Sequence, residues 1–167
     1  MDADAKKTAL RMIPYGIYVL TAEAPDGSFA AATVNWVTQT SFVPPLVVVG
    51  VKADSSAHAV VTQARQFGLS ILGKGQQDVA FKFFKAVQRD GESVAGERLV
   101  RGADGIPLLA GAAAAVACRV VEVVPGGDHS VVVAEVIEAR VARVPEGRPD
   151  DAVLLMKDLG EKVFYGG

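Results

Sequence analysis

The sequence predicts a mainly β protein, an antiparallel β-barrel with short helices. Segments rich in β-branched and aromatic residues recur along the chain, and turn residues such as Gly, Pro, Asp and Asn separate them. The helical patterns between them are all short, which disfavours an alternating α/β sheet. A length of 167 residues, half of them apolar, suffices for a single hydrophobic core.

The first third of the chain supplies an N-terminal helix and three strands. Residues 1–14 mix apolar and charged positions and predict a short amphipathic helix or arm. Residues 17–21 and 30–36 predict two strands of a hairpin, because the Pro-Asp-Gly-Ser sequence at 25–28 favours a turn. Residues 46–51 are almost wholly apolar and predict a buried strand within the barrel.

The middle of the chain predicts two short helices around one strand. Helical spacing of apolar residues after a Ser-Ser pair predicts a helix over 56–66, and residues 67–72 predict a strand. Residues 78–85 predict a second short helix. The polar, Gly-containing stretch 89–105 is interpreted as an excursion or lid of the same domain.

The last third predicts a long hairpin. Residues 113–124 and 130–144 are strand-like and flank the turn sequence Pro-Gly-Gly-Asp-His at 125–129. A final strand is predicted over 152–156. These elements place one domain over residues 15–167.

Composition and charge exclude several classes of protein. The formal net charge is −2 with no block of Lys or Arg, so nucleic acid is not an expected partner. A single cysteine, Cys118, cannot form an internal disulfide, and two histidines with one cysteine make a structural zinc site unexpected. We find no secretion signal and no apolar run long enough to span a membrane. The sequence thus predicts a cytoplasmic protein that binds neither metal nor membrane.

One near-match to a nucleotide-binding motif fails on chemistry. Residues 68–75 approach the P-loop pattern, but Gly75 stands where the motif needs a Ser or Thr for Mg²⁺. The residues between its glycines alternate like a strand, whereas a P-loop wraps phosphate with free N–H groups.

A family resemblance emerges from short sequence patches in a fixed order. These are YGIYVLT at 15–21, ATVNWVTQTS at 32–41, PPLVVVGV at 44–51, SSAH at 55–58, FGLSIL at 67–72, and GDH at 127–129 followed by VVVAEV at 131–136. Together they resemble the flavin reductase-like family of FMN-binding split barrels, over about Tyr15 to Val141.

The resemblance implies a fold, a cofactor and roles for individual positions. It implies a six-stranded Greek-key barrel that pairs as a homodimer, with flavin near the subunit interface. The cofactor would be FMN, with FAD as an alternative, and NADH or NADPH would donate hydride to flavin N5. The resemblance implies that the isoalloxazine is contacted by Thr33, Val34, Asn35 and Trp36. It implies that the ribityl phosphate is bound by Lys52, Ser55, Ser56 and His58. The nicotinamide would dock at His129, and the cofactor would be covered by Phe84 and Lys85.

Residue chemistry supports a phosphate site at the same place. A Ser-Ser pair at a helix start offers hydroxyls, unpaired N–H groups and a positive dipole end, and Lys52 adds a full charge. The alternative is that Ser55 or Ser56 only caps the helix. The family usually has a hydroxyl residue where Ala57 stands, so a donor there is missing unless Ser56 or His58 replaces it. Losing such a donor would weaken flavin binding by about 1–3 kcal/mol if the phosphate is buried.

Several alternatives remain at the level of sequence. Trp36 is equally compatible with a place in the core, and His129 with a polar turn residue. Besides a flavin reductase, the chain could transfer electrons from FMN to a redox protein, or bind flavin or haem without catalysis. A companion monooxygenase is a further possible partner. Kinship with the pyridoxamine phosphate oxidase branch of split barrels is disfavoured by the Gly-Asp-His hairpin and the Ser-Ser helix start.

Overall fold

A computed structural model describes all 167 residues of the chain. The strands are β1 (Tyr18–Glu23), β2 (Phe29–Val34), β3 (Val37–Ser41), β4 (Leu46–Lys52), β5 (Gln66–Ile71), β6 (Arg89–Asp90), β7 (Ser93–Val94), β8 (Glu97–Arg101), β9 (Pro107–Leu109), β10 (Ala114–Pro125) and β11 (His129–Val141). The α-helices are α1 (Ala3–Arg11), α2 (Ser56–Ala64) and α3 (Gln77–Lys82). None of the three helices has the length and apolar composition needed to cross a membrane.

Seven strands form one antiparallel sheet. Their order is β2-β1-β5-β10-β11-β4-β3, and every neighbouring pair runs antiparallel. The predicted mainly β class with few helices is therefore confirmed. The sheet is open between its edge strands β2 and β3, and it contains seven hydrogen-bonded strands where the resemblance implied six.

The core lies on both sides of this curved sheet. One cluster of fully buried side chains includes Leu20, Val49, Phe67 and Val132, and α2 covers it with Val61. The second cluster packs residues of β1 against α3 and the segment after β11. Removing these apolar side chains from water is the main force that holds the sheet and helices together.

The bounds of α2 follow from its capping residues. The Ser55 hydroxyl accepts the N–H of His58 at 3.1 Å and begins the helix. Arg65 takes a left-handed conformation with φ of 56°, so the helix ends at Ala64 instead of continuing to residue 66 as predicted.

Two other predicted elements differ from the structure. The strand predicted at 152–156 is wrong, because this stretch lies between two 3-10 turns and forms only isolated bridges at Val153 and Leu155. The Leu155 N–H donates to the Asp158 carboxylate at 2.9 Å, so a local turn uses the group that a strand would need. The helix predicted at 78–85 ends at Lys82, where the next residue, Phe83, leaves helical geometry.

Residues 89–105 pack on the body of the fold. They form β6, β7 and β8, which join β9 in a second, four-stranded sheet, and they bury Val94 and Leu99 in the core. Arg89 and Arg101 both pair with the Glu23 carboxylate of β1. Burial raises the pKa of Glu23, but the two guanidinium groups outweigh it and lower the pKa overall. The interpretation of this stretch as a lid, and the domain boundary at residue 15, stay predictions.

Candidate functional site

A cleft of about 290 Å³ opens beside the edge strand β2 and the end of β4. Its walls come from four parts of the chain that are distant in sequence. The lining residues are Ala32, Thr33, Val34, Asn35, Gly50, Val51, Lys52, Ser55, Ala57, Phe83, Phe84, His129, Met156, Val163, Phe164 and Tyr165. The volume lies just below the usual range for small-molecule sites, about 300–1,000 Å³.

The first wall is β2 with the residues that follow α3. The Thr33 hydroxyl donates to the Ala80 carbonyl at 2.7 Å, and the Thr33 N–H donates to the Phe83 carbonyl at 3.1 Å. These bonds satisfy the free edge of β2 and fix α3 against it. As a result the Phe83 and Phe84 side chains reach the cleft, Phe83 fully buried and Phe84 half-exposed.

The second wall is the end of β4 and the start of α2. The Lys52 ammonium lies 2.9 Å from the Asp54 carboxylate, and this contact raises the pKa of Lys52. The Ser55 hydroxyl donates to the Lys52 carbonyl at 2.7 Å while it caps α2. The N–H groups of Ser56 and Ala57, in the first turn of α2, donate to no protein acceptor. This corner thus offers one cation and two free backbone donors.

The third wall is the start of β11. Cross-strand pairing places His129 opposite Lys52. The His129 ring lies between two polar groups: its Nδ1 is 2.8 Å from Asp128 Oδ1, and its Nε2 is 2.7 Å from the Tyr165 hydroxyl. Trp36 packs against the same ring, with 4.6 Å between the ring centroids.

Gly50 allows this packing of Trp36. A Cβ at position 50 would lie 3.0 Å from Trp36 Cε3, so any other residue would push the indole away from its present position on β4. The indole Nε1 is buried and has no hydrogen-bond partner, which makes it the one unsatisfied buried side-chain polar atom of the chain.

The structure brings most of the predicted site residues together. Of the eleven, seven line the cleft: Thr33, Val34, Asn35, Lys52, Ser55, Phe84 and His129. Trp36 does not line it and instead packs behind His129 and Tyr165. Three others lie elsewhere: Ser56 and Lys85 are exposed outside the cleft, and the His58 ring is 2.9 Å from the Ser130 hydroxyl.

Sequence reasoning missed the fourth wall, which is the segment Val163 to Tyr165 with Met156. The Asn35 amide donates to the Tyr165 carbonyl at 3.2 Å and holds this segment against β2. The only signal in the sequence is an apolar and aromatic triplet, Val-Phe-Tyr, within an otherwise polar stretch.

The cleft combines an apolar floor with a polar rim. Aromatic and aliphatic side chains form most of its surface, and the cation, the helix N-terminus and the imidazole lie at its edge. Such a site suits a flat aromatic ligand that carries an anionic group at one end.

Comparison with known proteins gives the family. The family model described as "Flavin reductase like domain" matches residues 10–159, which is most of the chain. The chain belongs to the flavin reductase-like family. The resemblance found in the sequence patches is confirmed.

Relatives in this family include named reductases. The chain is 37% identical over 125 residues to the reductase component of the 4-nitrophenol 4-monooxygenase/4-nitrocatechol 2-monooxygenase of Rhodococcus opacus, covering 75% of the chain and 65% of that protein. It is 33% identical over 136 residues to the NADH-dependent flavin reductase StyB of Pseudomonas fluorescens, covering 81% and 77%. The chain spans 57% and 65% of the length of two of the curated relatives that it matches.

A solved structure agrees with these matches. The styrene monooxygenase flavin reductase from Pseudomonas putida S12 superposes with a TM-score of 0.75 at 28% identity, covering 96% of the chain and 95% of that protein. The family therefore includes members with the same fold over nearly their whole length.

Proposed function

We propose that the protein is an NAD(P)H-dependent flavin reductase that binds FMN in the cleft beside β2 and β4. The observation that carries this proposal is the convergence of Thr33, Asn35, Lys52, Ser55 and His129 on one cleft from three separate segments. The names of the relatives, which include flavin reductases and monooxygenase reductase components, support the same activity.

The residues of the cleft fit a flavin. Phe83, Phe84 and Val34 offer apolar surface for a flat ring system. When bound, the flavin would accept a hydride at N5 from the reduced nicotinamide and pass electrons onward. FAD is the alternative cofactor.

The phosphate of FMN would lie at the start of α2. There the free N–H groups of Ser56 and Ala57 point out of the helix end, and the Lys52 ammonium adds a positive charge. The Ser55 hydroxyl accepts from the His58 N–H and donates to the Lys52 carbonyl, so its proton is already used within the protein. Position 57 contributes only its N–H, because its methyl side chain is buried in the core.

The hydride donor would dock at His129. This side chain is held at the rim of the cleft, opposite Lys52 across the β4–β11 pair. The imidazole there presents a flat ring edge to the nicotinamide. The contribution of the protein is to hold the two reacting rings in place and to limit water between them.

We propose further that this seven-stranded sheet, open between β2 and β3, has the Greek-key split-barrel topology of the family and that two copies pair as a homodimer. Exposed apolar side chains on neighbouring strands, at Val121, Val124 and Val131, offer a surface for pairing. The single, unpaired Cys118 supports a reducing compartment, the cytoplasm. A monooxygenase that consumes reduced flavin is the proposed acceptor, since relatives are named as components of such systems.

The test is NADH oxidation by the purified protein with added FMN. We expect turnover that depends on FMN and continues while free flavin is in excess. Turnover that requires a protein acceptor would instead support an electron-transfer role. A protein that binds flavin or haem but leaves NADH unchanged would support a non-catalytic binding module and refute the proposal.

A further inference from the structure

Three side chains form a hydrogen-bonded row at the rim of the cleft. Asp128 Oδ1 lies 2.8 Å from His129 Nδ1, and His129 Nε2 lies 2.7 Å from the Tyr165 hydroxyl. The His129 side chain is only 14% exposed, whereas that of Asp128 is 90% exposed. Tyr165 is distant in sequence from the other two, so the row depends on the path of the segment that follows β11.

When His129 is neutral, the chemistry of the row fixes the direction of each hydrogen bond. The bond from His129 lowers the pKa of Asp128, so this carboxylate is ionised at neutral pH and can only accept. Burial raises the pKa of Tyr165, so its hydroxyl keeps its proton. A neutral His129 therefore carries its proton on Nδ1 and accepts from Tyr165 at Nε2. Lys52 and Asp54 are the other charged groups that face the row.

The Tyr165 hydroxyl is held in place by contacts of its own segment. The Asn35 amide donates to the Tyr165 carbonyl at 3.2 Å, and the Tyr165 ring packs on Trp36 with centroids 5.3 Å apart. On either side of Tyr165, Arg11 contacts the same segment. Its guanidinium lies 4.3 Å from the Phe164 ring centroid, and its Nε donates to the Gly166 carbonyl at 3.2 Å. These contacts make the segment a fixed wall of the cleft.

We propose that Tyr165 is a positioning residue, whose hydroxyl holds the His129 ring in one orientation and one tautomer where the hydride donor docks. The inference rests on the proposed function for the role of His129. Without the hydroxyl, the Nε2 acceptor would face water, and the ring could rotate or exchange tautomers. Since small displacements of docking groups reduce rates strongly, we expect a roughly tenfold slower hydride transfer.

The experiment compares Tyr165→Phe with the matched control Tyr15→Phe. Tyr15 lies outside the cleft, and its hydroxyl makes only a long contact of 3.4 Å to the Leu10 carbonyl. The first readout is the ¹⁵N spectrum of the histidine rings in flavin-free protein, in which only His58 and His129 contribute. We expect the Nδ1–H form of His129 in the wild type and in the control, and a mixture of tautomers in Tyr165→Phe.

The second readout is the rate constant for reduction of bound FMN at saturating NADH. Positioning predicts a roughly tenfold decrease in Tyr165→Phe with unchanged FMN affinity, and no change in the control. An unchanged His129 spectrum in Tyr165→Phe would overturn the proposal. A lower KM for NADH at an undiminished rate would also overturn it, since that result would show that Tyr165 obstructs the docking of NADH. If the wild type does not oxidise NADH, the proposed function fails, while the ring spectrum still tests the contact.

Discussion

Replacing Lys52 by Met separates phosphate recognition from ring recognition at the proposed site. Lys52 is the one ammonium that lines the cleft, at the end where the FMN phosphate would lie. Riboflavin has the same ring system without the phosphate. We therefore expect Lys52→Met to weaken FMN binding about tenfold and to leave riboflavin binding unchanged.

The magnitude follows from the surroundings of the ammonium. A hydrogen bond to a charged group contributes about 1.5–3 kcal/mol. Lys52 is 55% exposed and already paired with Asp54, so solvent screening and the competing carboxylate limit the expected effect to about tenfold in Kd. Asp54→Asn should have the opposite effect, because it frees the ammonium from its present partner and removes a negative charge near the phosphate.

Quenching of flavin fluorescence during titration measures these affinities. The matched control is Lys74→Met, an exposed lysine outside the cleft. The effect of Lys52→Met on FMN should shrink as salt is added, since an exposed charge is screened. An equal loss of FMN and riboflavin affinity, or no loss of either, would refute the placement of the phosphate at the start of α2.

Three further predictions concern the scaffold. Gly68→Ala should destabilise the protein by about 3 kcal/mol in urea unfolding, because the new Cβ would lie 2.2 Å from the Pro107 carbonyl oxygen; an unchanged midpoint would contradict this packing. Glu23→Gln should cost about 1–2 kcal/mol at neutral pH. Since the pKa of Glu23 is lowered in the folded state, that difference should disappear as the pH falls through this pKa, and a difference that grows in acid would refute the ion pairs. Cys118 should resist thiol reagents until the chain unfolds, because burial raises its pKa to about 12; rapid labelling of folded protein would show the thiol to be accessible.

The sequence predicted those elements whose signals are local. The hairpin of β10 and β11 followed from its Pro-Gly-Gly-Asp turn, and α2 from its Ser-Ser start. Helix α2 ends two residues earlier than predicted, because Arg65 adopts a left-handed conformation that its residue type does not predict. The strand predicted at 152–156 failed because the Asp158 side chain takes the backbone N–H of Leu155.

The sequence predicted only those parts of the site that are formed by residues close together in the chain. Thr33 to Asn35 at the end of β2, and Lys52 with Ser55 at the end of β4, were found from contiguous patches of sequence. Tyr165 was missed because its contacts, with Asn35 and His129, join residues 130 and 36 positions apart. Such contacts depend on the tertiary path of the chain and leave no periodic pattern in the sequence.

The proposed function requires that this cleft hold a flavin where reduced nicotinamide can reach it. Rapid anaerobic mixing of the FMN-loaded protein with NADH tests this arrangement, with absorption of the oxidised flavin as the signal. We predict that the yellow absorption band is lost in a reaction whose rate saturates with NADH. A band that persists at saturating NADH and NADPH, in protein shown to contain FMN, would contradict the account.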